Sequence, residues 1–257
     1  MRNNDVSPIL RRATRLVGLF SALLALTGCA AVAPDPTATP ATTARATASE
    51  AATRSDTPAV IPSAEPVAFL PLGDSYTIGT SVAEHERWPN QLVARLPGLE
   101  LVANLAVNGF TSRDVIEVEL PQLDALRPEL ITLLIGVNDV VQGVPEDTYR
   151  QNVIRILDDA VDRVGAARVL VVTTPDYTVT PSGADYGDPV RQSAGIRANN
   201  AIITDVARGL GIQVVDIYDI SLGAATNRGL VASDGLHPSG AQYRLWVDRI
   251  EVAIPEL

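Results

Sequence analysis

The chain has no lysine, one cysteine and two histidines among its 257 residues. A lone cysteine, Cys29, leaves no partner for a disulfide within the chain and excludes a cysteine-based metal site. His85 and His237 alone do not make a histidine-rich site, so no metal and no cofactor are expected, and stability must come from a hydrophobic core. From residue 66 onward 25 acidic residues face 14 arginines, a net charge of about −11 with no basic cluster. Nucleic acid is therefore not an expected partner, because its phosphates need cations opposite them. Electrostatic docking on anionic lipid heads is disfavoured for the same reason. Long apolar runs are scarce as well. The run from Leu16 to Leu26 is shorter than the roughly 20 residues that span a bilayer, and no internal repeat is present.

What that run does fit is the apolar region of a signal peptide. Arg2, Arg11, Arg12 and Arg15 form a basic region ahead of it, and Leu26-Thr27-Gly28-Cys29 closes it. This closing tetrapeptide resembles a bacterial lipobox, which implies residues 1–28 as signal peptide and Cys29 as the lipidated mature N-terminus. Ala31-Val32-Ala33 is the alternative, ordinary cleavage site. Residues 29–66 are dominated by Ala, Thr, Pro and Ser and read as a disordered tether. The expected location is the cell envelope, outside the cytoplasm, with the lipid as the membrane anchor.

Residues 67–257 alternate apolar runs with helical periodicity, the pattern of an α/β domain with a parallel sheet. Strands are expected at 67–72, 101–105, 130–135, 169–173 and 212–216. Tyr149, Val153, Ile156, Leu157, Ala160 and Val164 recur at helical spacing behind Pro145, Glu146 and Asp147, a good helix start. A second such face is Tyr243, Trp246, Val247, Ile250 and Ile254, with Ser239 as its expected N-cap. Pro71 sits awkwardly in the first strand, since proline cannot donate to a ladder, and a bulge is expected there.

Four short motifs carry the chemistry. Gly73-Asp74-Ser75 offers a hydroxyl after the first strand, Asn104–Ser112 contains Gly109, and Gly136-Val137-Asn138-Asp139 follows the third strand. Asp234-Gly235-Leu236-His237-Pro238 places a carboxylate three residues before an imidazole, so one turn can join them. A serine hydroxyl is a poor nucleophile at neutral pH and needs a base within reach and donors for the oxyanion it creates. His85, in a charged stretch, is expected to face solvent, and Asp74 and Asp139 to bond loop amides. The Gly-x-Ser-x-Gly elbow of α/β-hydrolases is absent around Ser75.

Ser75, Gly109, Asn138 and His237, in that order, resemble the SGNH hydrolase family of GDSL-type esterases and lipases, in its bacterial lipoprotein form. The resemblance runs from about Val67 to the C-terminus. It implies a three-layer α/β/α sandwich with a five-stranded parallel sheet, flavodoxin-like in arrangement. It also implies a Ser75–His237–Asp234 triad and an oxyanion hole of Ser75, Gly109 and Asn138. The expected activity is hydrolysis of carboxylic esters through an acyl-enzyme, in the manner of a lysophospholipase, thioesterase or arylesterase. The alternatives are O-deacetylation of a carbohydrate and, in a different class, a non-catalytic surface lipoprotein that binds a ligand. The expected partner is a small-molecule or glycan ester, with the chain a monomer. The polar segment 174–193, with Tyr177 and Tyr186, is expected to rim the pocket.

Overall fold

The computed structural model describes residues 65–256. The expected signal peptide, Cys29 and nearly all of the tether lie outside the described residues. The five strands are β1 (Val67–Gly73), β2 (Leu99–Leu101), β3 (Leu130–Leu134), β4 (Val169–Val172) and β5 (Gln213–Val215). All neighbours pair in parallel, in the order β2-β1-β3-β4-β5, which is the flavodoxin-like doubly wound arrangement. The helices are α1 (Ser75–Ile78), α2 (Trp88–Arg95), α3 (Ser112–Asp114), α4 (Leu123–Leu126), α5 (Val137–Val141), α6 (Glu146–Val164), α7 (Pro189–Gly209), α8 (Tyr218–Leu222) and α9 (Gly240–Ala253).

Strand alternation sorts the core into two layers. Leu70, Leu72, Ile131, Leu133, Val169 and Val171 face α6, α7 and segment 112–126. Phe69, Leu130, Leu134, Leu170, Val172 and Val215 face α2 and α9, where Trp88, Leu92, Trp246 and Ile250 are fully buried. A strand covered on both faces has no polar side to keep, which is why β3 reads Leu-Ile-Thr-Leu-Leu without alternation of character. The helices start where the sequence places them. Pro145 precedes α6, and the Ser239 hydroxyl accepts from Gln242 N–H at the head of α9.

Pro71 needs no bulge, contrary to the sequence expectation. The register from Phe69↔Leu130 to Gly73↔Leu134 runs unbroken through Pro71↔Thr132. Val67 N–H donates to Gly98 O, and Phe69 O accepts from Val102 N–H, so the odd-numbered residues of β1 address β2. Pro71 shares that parity, and β2 has already ended at Leu101 when Pro71 is reached. Its missing N–H therefore costs the ladder nothing. The second strand also starts two residues earlier, and ends four earlier, than expected. The stretch 102–105 leaves the sheet there and packs against the first core layer through Val102, Ala103 and Leu105.

Candidate active site

Strand order reverses between β1 and β3, and a crevice opens at the carboxyl ends of strands where that happens. The turn after β1 leads into α1 at Ser75, and the turn after β3 leads into α5, which carries Asn138. Gly73 ends β1 with φ of +154°, and a Cβ there would run into the Leu134 carbonyl oxygen. Asp74 caps α1, its Oδ1 accepting from Tyr76 N–H at 2.9 Å. Ser75 is thereby the first residue of a helix, where backbone N–H groups have no intrahelical acceptor. Burial, with Asp139 adding to it against the Tyr76 hydrogen bond, pushes the Asp74 carboxyl up to about 8.

Gly109 lies in the loop after β2 with φ of +84°, a left-handed conformation that favours glycine. Nothing stands within 4 Å of where its Cβ would be, so conformation, not crowding, accounts for glycine here. Three bonds fix the loop. Asn104 Nδ2 donates to Thr77 O at 2.9 Å, Thr80 Oγ1 to Asn108 Oδ1 at 2.5 Å, and Gln142 Nε2 to Gly109 O at 3.1 Å. Asn138, on α5, donates through Nδ2 to Phe110 O at 2.9 Å, with Asp74 Oδ2 at 3.4 Å from the same nitrogen. Asp139 accepts from Ser112 N–H at 2.9 Å and Ser112 Oγ at 2.5 Å, which ties α5 to α3. Both aspartates thus bond backbone amides, those of the short helices α1 and α3 and not of the loops the sequence indicated.

His237 and Asp234 come from one turn before α9. The imidazole Nδ1 lies 2.6 Å from Asp234 Oδ2, while Asp234 Oδ1 accepts from Leu236 N–H and His237 N–H at 2.9 and 3.0 Å. Ser81 Oγ also donates to Oδ2, at 2.7 Å. Burial alone would raise this carboxyl, but the hydrogen bonds from His237, Leu236 and Ser81 outweigh it and hold it at about 2. The Tyr76 ring backs the imidazole, centroids 5.4 Å apart. Ser81 is a residue the sequence reading missed. Its φ of +65° is rare for serine and is the one signal of its role, invisible in the sequence.

Ser75, Gly109, Asn138 and His237 line one cavity of about 200 Å³, walled by Val137, Val141, Tyr177, Tyr186 and Leu236. No hydrogen bond within 3.5 Å joins the Ser75 hydroxyl to His237 among the described residues. Such bonds often tighten only when substrate binds. Tyr177 and Tyr186 meet edge to face at 5.9 Å, so segment 174–193 reaches the pocket as expected. Its anchor is Asp176, which accepts from Thr178 N–H, Thr178 Oγ1, Ser193 Oγ and Tyr218 Oη. His85 is exposed and apart from this set. No cluster of three or more metal-ligating side chains occurs among the described residues.

Fold and site together define an ester hydrolase on a doubly wound sheet, its polar groups converging at the switch point. The model of the GDSL-like Lipase/Acylhydrolase family matches residues 72–245, a span that holds all five of Ser75, Gly109, Asn138, Asp234 and His237. The chain belongs to that family and is an enzyme acting on ester bonds. Solved structures share the fold. A G-D-S-L lipolytic protein from Veillonella parvula is 18% identical over 74% of this chain and 98% of its own, with a TM-score of 0.60. The acetylxylan esterase Axe2 from Geobacillus stearothermophilus is 18% identical over 75% and 96%, with a TM-score of 0.59. TesA is 22% identical over 72% and 97%, with a TM-score of 0.58. A search of curated protein sequences finds no match.

Proposed function

We propose that this esterase works through a Ser75–His237–Asp234 triad with Ser75, Gly109 and Asn138 as oxyanion donors. The observation that carries the reading is the Asp234–His237 pair, 2.6 Å apart, whose imidazole lines the same cavity as Ser75, Gly109 and Asn138. In the proposed acylation, Ser75 Oγ attacks the ester carbonyl carbon and its proton passes to the free ring nitrogen of His237. Asp234 keeps Nδ1 protonated and stabilises the imidazolium. The developing oxyanion takes hydrogen bonds from the Ser75 and Gly109 N–H groups and from Asn138 Nδ2. For Asn138 this exchanges the long contact to Asp74 for a charged acceptor, while the Phe110 bond keeps the amide oriented. Collapse releases the alcohol with the His237 proton, and water then hydrolyses the acyl-enzyme by the same route in reverse.

A cavity of about 200 Å³ is smaller than the ~300–1,000 Å³ that encloses a drug-sized ligand. It suits a short acyl group against the valines and tyrosines, with the alcohol or thiol part of the substrate lying across the rim. An aryl ester or a thioester of a short acid presents such a group, whereas the long acyl chain of a lysophospholipid would extend past the cavity. Acetylated carbohydrate is the second reading, favoured by the small cavity and by the likeness to an acetylxylan esterase. Fluorophosphonate labelling of Ser75, followed by kcat/KM on acyl esters of increasing length and on acetylated xylo-oligosaccharides, tests both. Labelling elsewhere, or equal activity in Ser75→Ala, ends the triad reading.

We further propose that Cys29 carries a lipid and anchors the enzyme to a membrane, outside the cytoplasm, through the tether. Cys29→Ser should block lipidation and leave the precursor uncleaved, or shift cleavage to the site after Ala33. Unchanged processing and membrane association would remove the anchor from the picture.

A further inference from the structure

The side of β1 that faces β2 is left without a partner before the strand is finished. Pro71 has no N–H to offer, but Gly73, the next residue of the same parity, does. Its N–H donates at 3.1 Å to Glu119 Oε2, a carboxyl with no exposed surface. Glu119 reaches that position because of Pro121. Proline in a helix lacks the donor for the carbonyl four residues back and its ring crowds that carbonyl, here Glu117 O. The helix widens ahead of it into a π turn, Val115–Glu119, closed by Leu120 N–H on Val115 O. Single π turns of this kind recur at functional sites. The other oxygen of Glu119, Oε1, is buried with no hydrogen-bond partner among the described residues.

We propose that Glu119 is a positioning residue for the nucleophile, its carboxyl standing in for the missing strand and holding Gly73 so that Ser75 keeps its place. The claim rests on Ser75 being the nucleophile. Gly73 precedes Ser75 by two residues, and the four-residue α1 begins at Ser75 itself. The Glu119 bond is the anchor of this turn on the β2 side. Releasing it lets Asp74 and Ser75 shift together, moving Oγ relative to His237 and the Ser75 N–H relative to the oxyanion. A displacement of about 1 Å in such a constellation costs on the order of a hundredfold in rate.

The carboxyl acts in its neutral form. Asp74 on the turn and Asp114 on α3 face it, and Asp139 on α5 faces Asp74 in turn. Burial first, and then Asp74 and Asp114 against the Gly73 hydrogen bond, push it up to about 8. Above that pH a negative charge appears under the nucleophile turn beside Asp74.

The test is kcat and KM of the full chain and two variants on a short acyl ester from pH 6 to 10, with folding checked by circular dichroism. Glu119→Gln keeps an acceptor for Gly73 N–H and should hold kcat within about twofold at pH 7. It should also shrink the alkaline decline expected of the wild type near pH 8, leaving the part that Asp74 contributes. Glu119→Ala should lower kcat at least about tenfold with KM little changed, and slow fluorophosphonate labelling of Ser75 in parallel. Wild-type kcat in Glu119→Ala, or a fall in Glu119→Gln as large as in Glu119→Ala, overturns the proposal. If the alanine variant does not fold, the glutamine variant decides alone, and an unchanged alkaline limb overturns it. Ser75→Ala, run alongside, tests the underlying reading: activity retained there ends it, whatever Glu119 does.

Discussion

Asp234 Oδ2 serves two donors, the His237 ring and the Ser81 hydroxyl, and the second of these stands on a strained backbone. Left-handed serine costs roughly 1–2 kcal/mol, so the surrounding contacts must hold it there. Ser81→Ala removes one donor and leaves the carboxylate free to rotate away from Nδ1. The expected result is a fall in kcat/KM of about tenfold, the worth of one charge-assisted hydrogen bond of roughly 1.5 kcal/mol, read by steady-state kinetics. Asn138→Ala should cost more, roughly 10²–10³ in kcat, because in the proposed mechanism it deletes an oxyanion donor and not a support. Reversal of that ranking would place Asn138 outside the oxyanion hole.

At the scale of elements, segment 174–193 separates substrate choice from chemistry. Tyr186 is 44% exposed at the rim, whereas Tyr177 is 4% exposed and part of the second core layer. Tyr186→Ala should lower kcat/KM for long acyl esters relative to acetate esters by an amount equivalent to roughly 1–3 kcal/mol, with thermal stability unchanged. Tyr177→Ala should show the same bias and also a lower Tm. An equal fall for both esters in Tyr186→Ala would mean that the segment supports the reacting groups themselves. The five strands, α6 and α9 were legible in the sequence, because strands buried on both faces are continuous apolar runs and these two helices keep strict helical spacing; α7 (Pro189–Gly209), which begins inside the segment expected to be irregular, was not. The edges were not. Val102, Ala103 and Leu105 are apolar for the first core layer and not for a strand, and apolar character alone cannot tell the two apart. At the site, Ser75, Gly109, Asn138, Asp234 and His237 were legible as short motifs. The structure gathers four of them on one cavity, with Asp234 bonded to the imidazole of His237. Ser81 and Glu119 were not legible, since their partners lie 153 and 46 residues away and only the fold brings them close.

The whole molecule carries opposing responses to pH. Asp74 and Glu119, both pushed to about 8, hold protons in the folded state that an unfolded chain releases near its ordinary carboxyl values. Their contribution to stability is complete below about pH 4 and is lost as pH rises through 8. Asp234, held at about 2, contributes above about pH 4 and loses that contribution as pH falls toward 2. Stability should therefore be greatest in mildly acid solution. Calorimetry should show Tm falling by about 4 °C or more between pH 5 and 9, since each 1 kcal/mol moves the midpoint of a domain this size by roughly 2–4 °C. Asp74→Asn should make that fall shallower. A flat Tm profile for the wild type would mean that Asp74 and Glu119 ionise normally. The turn that joins Asp234 to His237 has a different consequence. Carboxylate and imidazole belong to one short peptide, closed by its own backbone bonds before Ser75 is considered. The geometry of the pair is thus set within its own turn, with Ser81 and Tyr76 as supports from outside it. Ser75→Gly should leave it intact beside an empty space, where an added small nucleophile such as azide can reach the ester carbonyl and turn a dead hydrolase into an acyl-transfer catalyst.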